Sequence, residues 1–224
     1  MNSDKPIDIC KHCPYTHSCK VHNGVLSKLP KTIVCPEKGD HLFKSEEAFT
    51  ALYVLCQGSA KATLSDGTSM EKIVQFYHPG DMIGLCAFGN ESYQESVEIL
   101  SYSRVFKIER ATFENALAES SALANGMISL LSENLVRRQR NHSSNTLLEA
   151  ESRLIRFLQD QQVWSASTPS KGSFELCMSR VDIANYLGIA VETLSRLMKK
   201  LTQKGLIEAQ NRRIAIRNLD FSSM

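Results

Sequence analysis

Ser179-Arg-Val-Asp-Ile-Ala-Asn-Tyr-Leu-Gly-Ile-Ala-Val-Glu-Thr-Leu-Ser-Arg-Leu-Met-Lys-Lys-Leu201 decides how this 224-residue chain is read. Ser179 with Asp182 three positions on has the form of a helix N-cap and its return acceptor. Val181, Ile183, Ala184 and Leu187 give the first helix an apolar side, and Gly188 can take the left-handed conformation that ends it. A second helix restarts at Val191, with Leu194, Leu197, Met198 and Leu201 along one side. Two short helices joined at a glycine turn are a helix-turn-helix pattern, whose second helix can lie in the major groove of duplex DNA.

The polar positions of that second helix, Glu192, Ser195, Arg196 and Lys199, follow helical spacing and share one face. Arginine can grip guanine O6 and N7 together, a carboxylate can accept from cytosine N4, and serine is adaptable. Downstream, Leu206-Ile207-Glu208 and Arg213-Ile-Ala-Ile-Arg217 alternate as a two-stranded wing with Arg212 and Arg213 near its tip. Lys199, Lys200, Arg212 and Arg213 are expected to meet phosphate, which adds affinity and little sequence choice. Charge agrees with this placement. From Ala150 onward there are 11 Lys+Arg against 7 Asp+Glu, and the rest of the chain carries 15 against 17.

Working toward the N-terminus, residues 147–224 form the DNA-binding region, with a helix over Leu147–Val163 and a loop over 165–173. Residues 111–146 carry a helical period. Ile128, Leu131 and Leu135 are spaced as a coiled-coil seam, and the register continues through Arg138, His142 and Asn145. A homodimer through this helix is expected. In a parallel pair the two Arg138 side chains either turn outward to solvent or approach each other; if they approach, Arg138→Ala is expected to strengthen the dimer without cofactor. An ordinary amphipathic helix packed on its own β domain is the alternative.

Residues 26–110 read as β structure. Ala51–Cys56, Ala60–Leu64 and Ile73–Tyr77 are short apolar runs, Asp66-Gly67 is a hairpin dipeptide, and His78-Pro-Gly-Asp81 is a turn. Many short, closely spaced strands point to a jelly-roll-like β-roll. The fold class is therefore α+β: an N-terminal β-roll sensor domain, a long dimerisation helix and a C-terminal winged helix-turn-helix. No nucleophile elbow, phosphate loop or paired catalytic carboxylate is present in the sequence, and an enzyme is not expected. No apolar run is long enough to span a bilayer and no secretory signal is evident, so the expected compartment is the cytoplasm.

Residues 1–25 are rich in Cys and His. Cys10, Cys13 and Cys19, at C-x2-C-x5-C, can converge on one soft metal centre. With His22 they could instead make a tetrahedral zinc site. A metal-free thiol switch is a third reading. Haem is a fourth, although no specific axial pair emerges from the histidines at 12, 17, 22 and 41.

The motif Asp182-Ile-Ala-Asn-Tyr-Leu-Gly-Ile-Ala-Val-Glu-Thr-Leu-Ser-Arg196 resembles the DNA-binding signature of the CRP/FNR family of bacterial regulators, and the likeness extends over nearly the whole chain. Val191 to Arg196 is similar to the FNR branch; the catabolite-activator branch has Arg in place of Val191 and Gly in place of Ser195. The resemblance implies that Glu192, Ser195 and Arg196 read a TTGAT-type half-site twice, in a palindrome bound by a dimer, with RNA polymerase as a further partner. In the cyclic-nucleotide branch a Gly-Glu pair and an Arg-Ser or Arg-Thr pair hold ribose and phosphate. Here Leu85 follows Gly84, and Gln94-Glu95-Ser96 lies near the place of the Arg pair. Glu95 and Glu98 would repel a phosphate, so a cyclic nucleotide is not the expected ligand.

The cysteine spacing matches the N-terminal motif of the FNR branch. The resemblance therefore implies a 4Fe–4S cluster that supports the DNA-binding dimer and is lost to oxygen. The family's fourth cysteine falls at Phe106 of this chain, so the fourth ligand comes from elsewhere. Cys177 lies in the DNA-binding region, Cys35 precedes Pro36, and Cys56 belongs to an alternating strand. Cys86 follows the Gly80–Gly84 turn, where haem-containing relatives that sense carbon monoxide place an axial ligand, and is the preferred fourth ligand. A carboxylate, or His12, His17 or His22, is the alternative.

Overall fold

The computed structural model describes residues 29–65, 67, 71–147, 149–165 and 173–217. Cys10, Cys13, Cys19 and the histidines at 12, 17 and 22 lie outside the described residues, as do Asp66, most of the 165–173 loop and the side chain of His142. The chain divides into two compact units. One takes residues up to Ala62 together with Phe76–Leu131, and the other takes Thr63–Gln75 together with the chain from Ser132.

The larger sheet is six-stranded and ordered β1-β6-β3-β4. Its strands are β1 (Thr32–Val34), β2 (His41–Phe43), β3 (Ala51–Ser65), β4 (Glu71–Tyr77), β5 (Met82–Ile83) and β6 (Ser96–Glu109). β2 adds to β6, and β5 adds to β3. The two apolar runs at 51–56 and 60–64 are one strand. Gly58 carries it through a left-handed residue at φ 96°. A Cβ there would sit 2.0 Å from Ser103 Oγ and 2.7 Å from the Tyr102 carbonyl oxygen, so only glycine lets β3 and β6 lie this close.

Ala51–Leu55 is buried without alternation, as expected for a strand covered on both faces. Phe43 stacks on Tyr93 with ring centroids 3.7 Å apart, and the Tyr93 hydroxyl donates to the Ala51 carbonyl at 2.7 Å. The 78–81 turn closes as its residues require: Asp81 N–H donates to the His78 carbonyl, and the Asp81 carboxylate accepts from His78 N–H, both at 3.0 Å.

β6 runs directly into α1 (Arg110–Glu119), whose Phe113 is fully buried. The helical stretch expected at 111–146 is divided at Ser120, which is extended (φ −132°, ψ 101°). Its hydroxyl accepts from Leu123 N–H at 3.2 Å, starting α2 (Ser121–Leu147) as a serine N-cap does.

The second unit holds the remainder of α2, α3 (Ala150–Ser165), β7 (Ser173–Glu175), α4 (Arg180–Leu187), α5 (Val191–Gln203), β8 (Ile207–Gln210) and β9 (Arg213–Ile216). The wing is a three-stranded sheet ordered β7-β9-β8. β7 is too short to show a period and was not legible beside the loop. Leu154 and Leu158 of α3, Ile183 of α4, Leu194 and Leu201 of α5, and Ile214 of β9 are among its buried core. Among the described residues no helix is long and apolar enough to cross a membrane.

Candidate nucleic-acid interface

The reading element begins with a capping box. Ser179 Oγ accepts from Asp182 N–H at 3.0 Å, and the Asp182 carboxylate accepts from Ser179 N–H at 3.0 Å. Two otherwise orphaned donors are thereby satisfied, and a negative charge sits in the first turn of α4. Gly188 ends α4 at φ 66°, ψ 42°, with its N–H bonded to Ala184 and Asn185 carbonyls. The expectation of a cap, two turns and a left-handed glycine holds throughout. Val181 is an exception: it is exposed, not on the apolar side. Two residues before Ile183 is about 200° around the helix, so burying one face leaves Val181 on the other.

α5 has a buried side and an exposed polar side. Leu194, Met198 and Leu201 are buried and Leu197 is half-buried, while Glu192, Ser195, Arg196 and Lys199 are exposed together. Lys200 is exposed as well and has a partner on α3. Its ammonium is hydrogen-bonded to Glu151 on α3, and Lys204 reaches the same carboxylate at 2.7 Å. The Lys200 bond first, and then that of Lys204, hold the Glu151 carboxyl below its ordinary range. Lys200 thus links α5 to α3 while its side chain stays exposed.

The wing closes at Asn211-Arg212, between the opposed residues Gln210 and Arg213. Asn211 takes φ 54°, a left-handed conformation that asparagine tolerates better than most residues. Arg212 and Arg213 are exposed at this tip, and Arg213 Nε donates to Ser173 Oγ at 3.2 Å. At the wing's base Arg217 forms a two-point pair with Glu208 at 2.9 and 2.8 Å.

Arg180 was missed in the sequence. It occupies the first position of α4, and its Nη2 donates to the Asn211 carbonyl at 3.4 Å. Its buried Nη1 has no hydrogen-bond partner among the described residues. Burial lowers its pKa, because covering a cation penalises its charged form. The available signal was its place after the cap, where a helix N-terminus favours anions.

On α2, Ile128, Leu131 and Leu135 leave 61%, 43% and 58% of their surfaces uncovered. Arg138, next in that register, is partly covered. Cys86 is half-buried in a single 3-10 turn, Leu85–Ala87, which follows Gly84 at φ 92°. Cys35 is exposed, Cys177 belongs to the second unit, and the Cys56 thiol donates to the Val54 carbonyl at 3.6 Å. Phe106 is buried in β6, in the strand just before α1. Among the described residues no group of three or more His, Cys, Asp or Glu could hold a metal ion. Glu95 is only 2% exposed, and the Tyr77 hydroxyl donates to it at 2.7 Å.

Residues 152–221 match the family model of the Crp-like helix-turn-helix domain, and residues 36–120 match that of the cyclic nucleotide-binding domain. An anaerobic regulatory protein of Aggregatibacter actinomycetemcomitans is 30% identical over 217 residues, covering 94% of this chain and 84% of the relative. The chain belongs to the CRP/FNR family of DNA-binding transcription regulators. Another family member, the fumarate and nitrate reduction regulatory protein of Salmonella typhi, is 30% identical over 185 residues, covering 82% of this chain and 74% of its own. The structure of FixK2 from Bradyrhizobium japonicum superimposes with a TM-score of 0.77 at 24% identity, over 85% of this chain and 94% of that one, and shares the fold.

Proposed function

We propose that this CRP/FNR-family chain is an oxygen- or redox-responsive regulator that binds, as a homodimer, a palindrome with TTGAT-type arms. The observation that carries the DNA half is the exposed set Glu192, Ser195, Arg196 and Lys199 on a helix whose opposite side is buried. Arg196 and Glu192 supply base-edge recognition, and Ser195 adapts between them. Arg180, Lys199, Arg212 and Arg213 supply phosphate contacts. A two-fold palindrome needs a two-fold protein, and the uncovered Ile128, Leu131 and Leu135 stripe is the surface that would pair. RNA polymerase is the expected further partner of such a regulator.

The sensing half rests on Cys10, Cys13 and Cys19 with Cys86 as fourth ligand, holding a 4Fe–4S cluster. Four thiolates suit iron–sulfur chemistry, and the half-buried position of Cys86 suits a ligand shielded from solvent. When bound, the cluster supplies the oxygen-sensitive chemistry. Two relatives, an anaerobic regulatory protein and a fumarate and nitrate reduction regulatory protein, favour the same sense. A cyclic nucleotide is disfavoured because the buried Glu95 carboxylate, engaged by Tyr77, stands near the place where a cation would be needed.

The test is anaerobic purification with iron and sulfide counted per chain, followed by fluorescence anisotropy on a duplex with two inverted TTGAT arms. Expected are a thiolate-to-iron absorption that bleaches in air and operator binding that weakens with it. A colourless protein holding one zinc per chain would overturn the cluster in favour of the Cys10, Cys13, Cys19 and His22 site. Cys86→Ser with a full cluster would overturn that ligand.

A further inference from the structure

The tip of the β3–β4 hairpin, Thr63–Gln75, belongs to the second unit, where α4 holds it through one side chain. Asn185 Oδ1 accepts from the backbone N–H of Ile73 at 2.8 Å, and Asn185 Nδ2 donates to the backbone carbonyl of Glu71 at 2.8 Å. The amide side chain thus presents one acceptor and one donor to the strand, as a neighbouring strand residue would. Between these two residues, the Lys72 ammonium donates to the carbonyls of Asn185 and Tyr186. Those carbonyls lie in the last turn of α4, where the helix dipole is negative and a cation is favoured. A Cβ built on Gly188 would lie 3.7 Å from the same ammonium.

The hold is not one-sided. Burial lowers the Lys72 pKa, and the nearby cation Arg153 on α3 lowers it further. The contact therefore combines two neutral hydrogen bonds with one cation at a helix C-terminus. With this contact made, Glu192, Ser195, Arg196 and Lys199 all remain exposed. The tip grips the end of α4 remote from Arg180 and so leaves the reading face open.

We propose that Asn185 and the hairpin tip form a latch that fixes the posture of the helix-turn-helix for DNA binding. The latch acts by holding α4, not by covering α5.

This inference rests on the reading of the chain as a TTGAT-binding regulator, so its test has one arm that needs no DNA. Hydrogen–deuterium exchange on the full chain should show faster exchange over residues 71–76 and 180–188 in Asn185→Ala than in the native protein. Anisotropy with the inverted TTGAT duplex should show affinity falling about tenfold, the change that about 1.4 kcal/mol produces. The ratio to a scrambled duplex should stay the same. Asn185→Asp keeps the acceptor for Ile73 and loses the donor to Glu71, so it should fall between the two. It also decides the matter if Asn185→Ala does not fold. Unchanged exchange, or unchanged or tighter DNA binding, would overturn the latch. A native protein with no preference for the TTGAT duplex would instead count against the operator, and the exchange arm would then decide the latch alone.

Discussion

Leu135 leaves 58% of its surface uncovered within its own chain and stands in register with Ile128 and Leu131 on α2. Burying a whole leucine side chain yields about 1.5–3 kcal/mol. A little over half of that is available to a partner, and alanine would keep part of it, so Leu135→Ala should lose about 1 kcal/mol per protomer by the same scale. A two-fold interface contains the position twice. The dimer should therefore weaken by about 2 kcal/mol, roughly a thirtyfold rise in its dissociation constant. Sedimentation velocity across a concentration series reads this directly. Val136→Ala is the control, because Val136 is also uncovered, at 45%, but lies one position off the register. If both variants weaken the dimer equally, or if Leu135→Ala sediments as the native chain does, the pairing face has been misplaced.

Arg196→Ala should cost about 1–3 kcal/mol of operator affinity and relax the preference at one base pair per half-site, measured by competition with single-substitution duplexes. Arg212→Ala should weaken binding to all duplexes alike and reduce the slope of log affinity against log salt by about 1. Asp182→Ala removes one side of the capping box and should lower stability by about 1 kcal/mol in urea unfolding; an unchanged midpoint would argue against the box. Glu151 has a depressed pKa in the folded chain, so its stabilisation is present above the ordinary carboxylate value and lost as pH falls through the lower folded one. Glu151→Gln should melt below the native protein at neutral pH, by less than about 1 kcal/mol, and the two should converge in acid. Parallel melting curves at every pH would refute this.

The helix-turn-helix was legible because its determinants are local. Ser179 and Asp182 are three residues apart, Gly188 supplies its own backbone freedom, and the buried and exposed positions of α5 follow one helical period. The break at Ser120 was also encoded locally, but a serine beside another serine is a weak signal until its hydroxyl is seen to cap Leu123. The pairing of Lys200 with Glu151 could not be read from the sequence, since the two are 49 residues apart.

The linear sequence thus determined the elements whose energies come from neighbours along the chain: the cap, the left-handed glycine, the polar face of α5, the wing turn and the apolar spacing on α2. The tertiary structure decided whatever depends on closing long loops. That includes the β1-β6-β3-β4 order, the close approach of Gly58 to Ser103, the burial of Glu95 against Tyr77, and the grip of Asn185 on residues 71 and 73, 112 or more positions away. Such contacts form only after the entropy of a long loop has been overcome, and no short window of sequence carries that outcome.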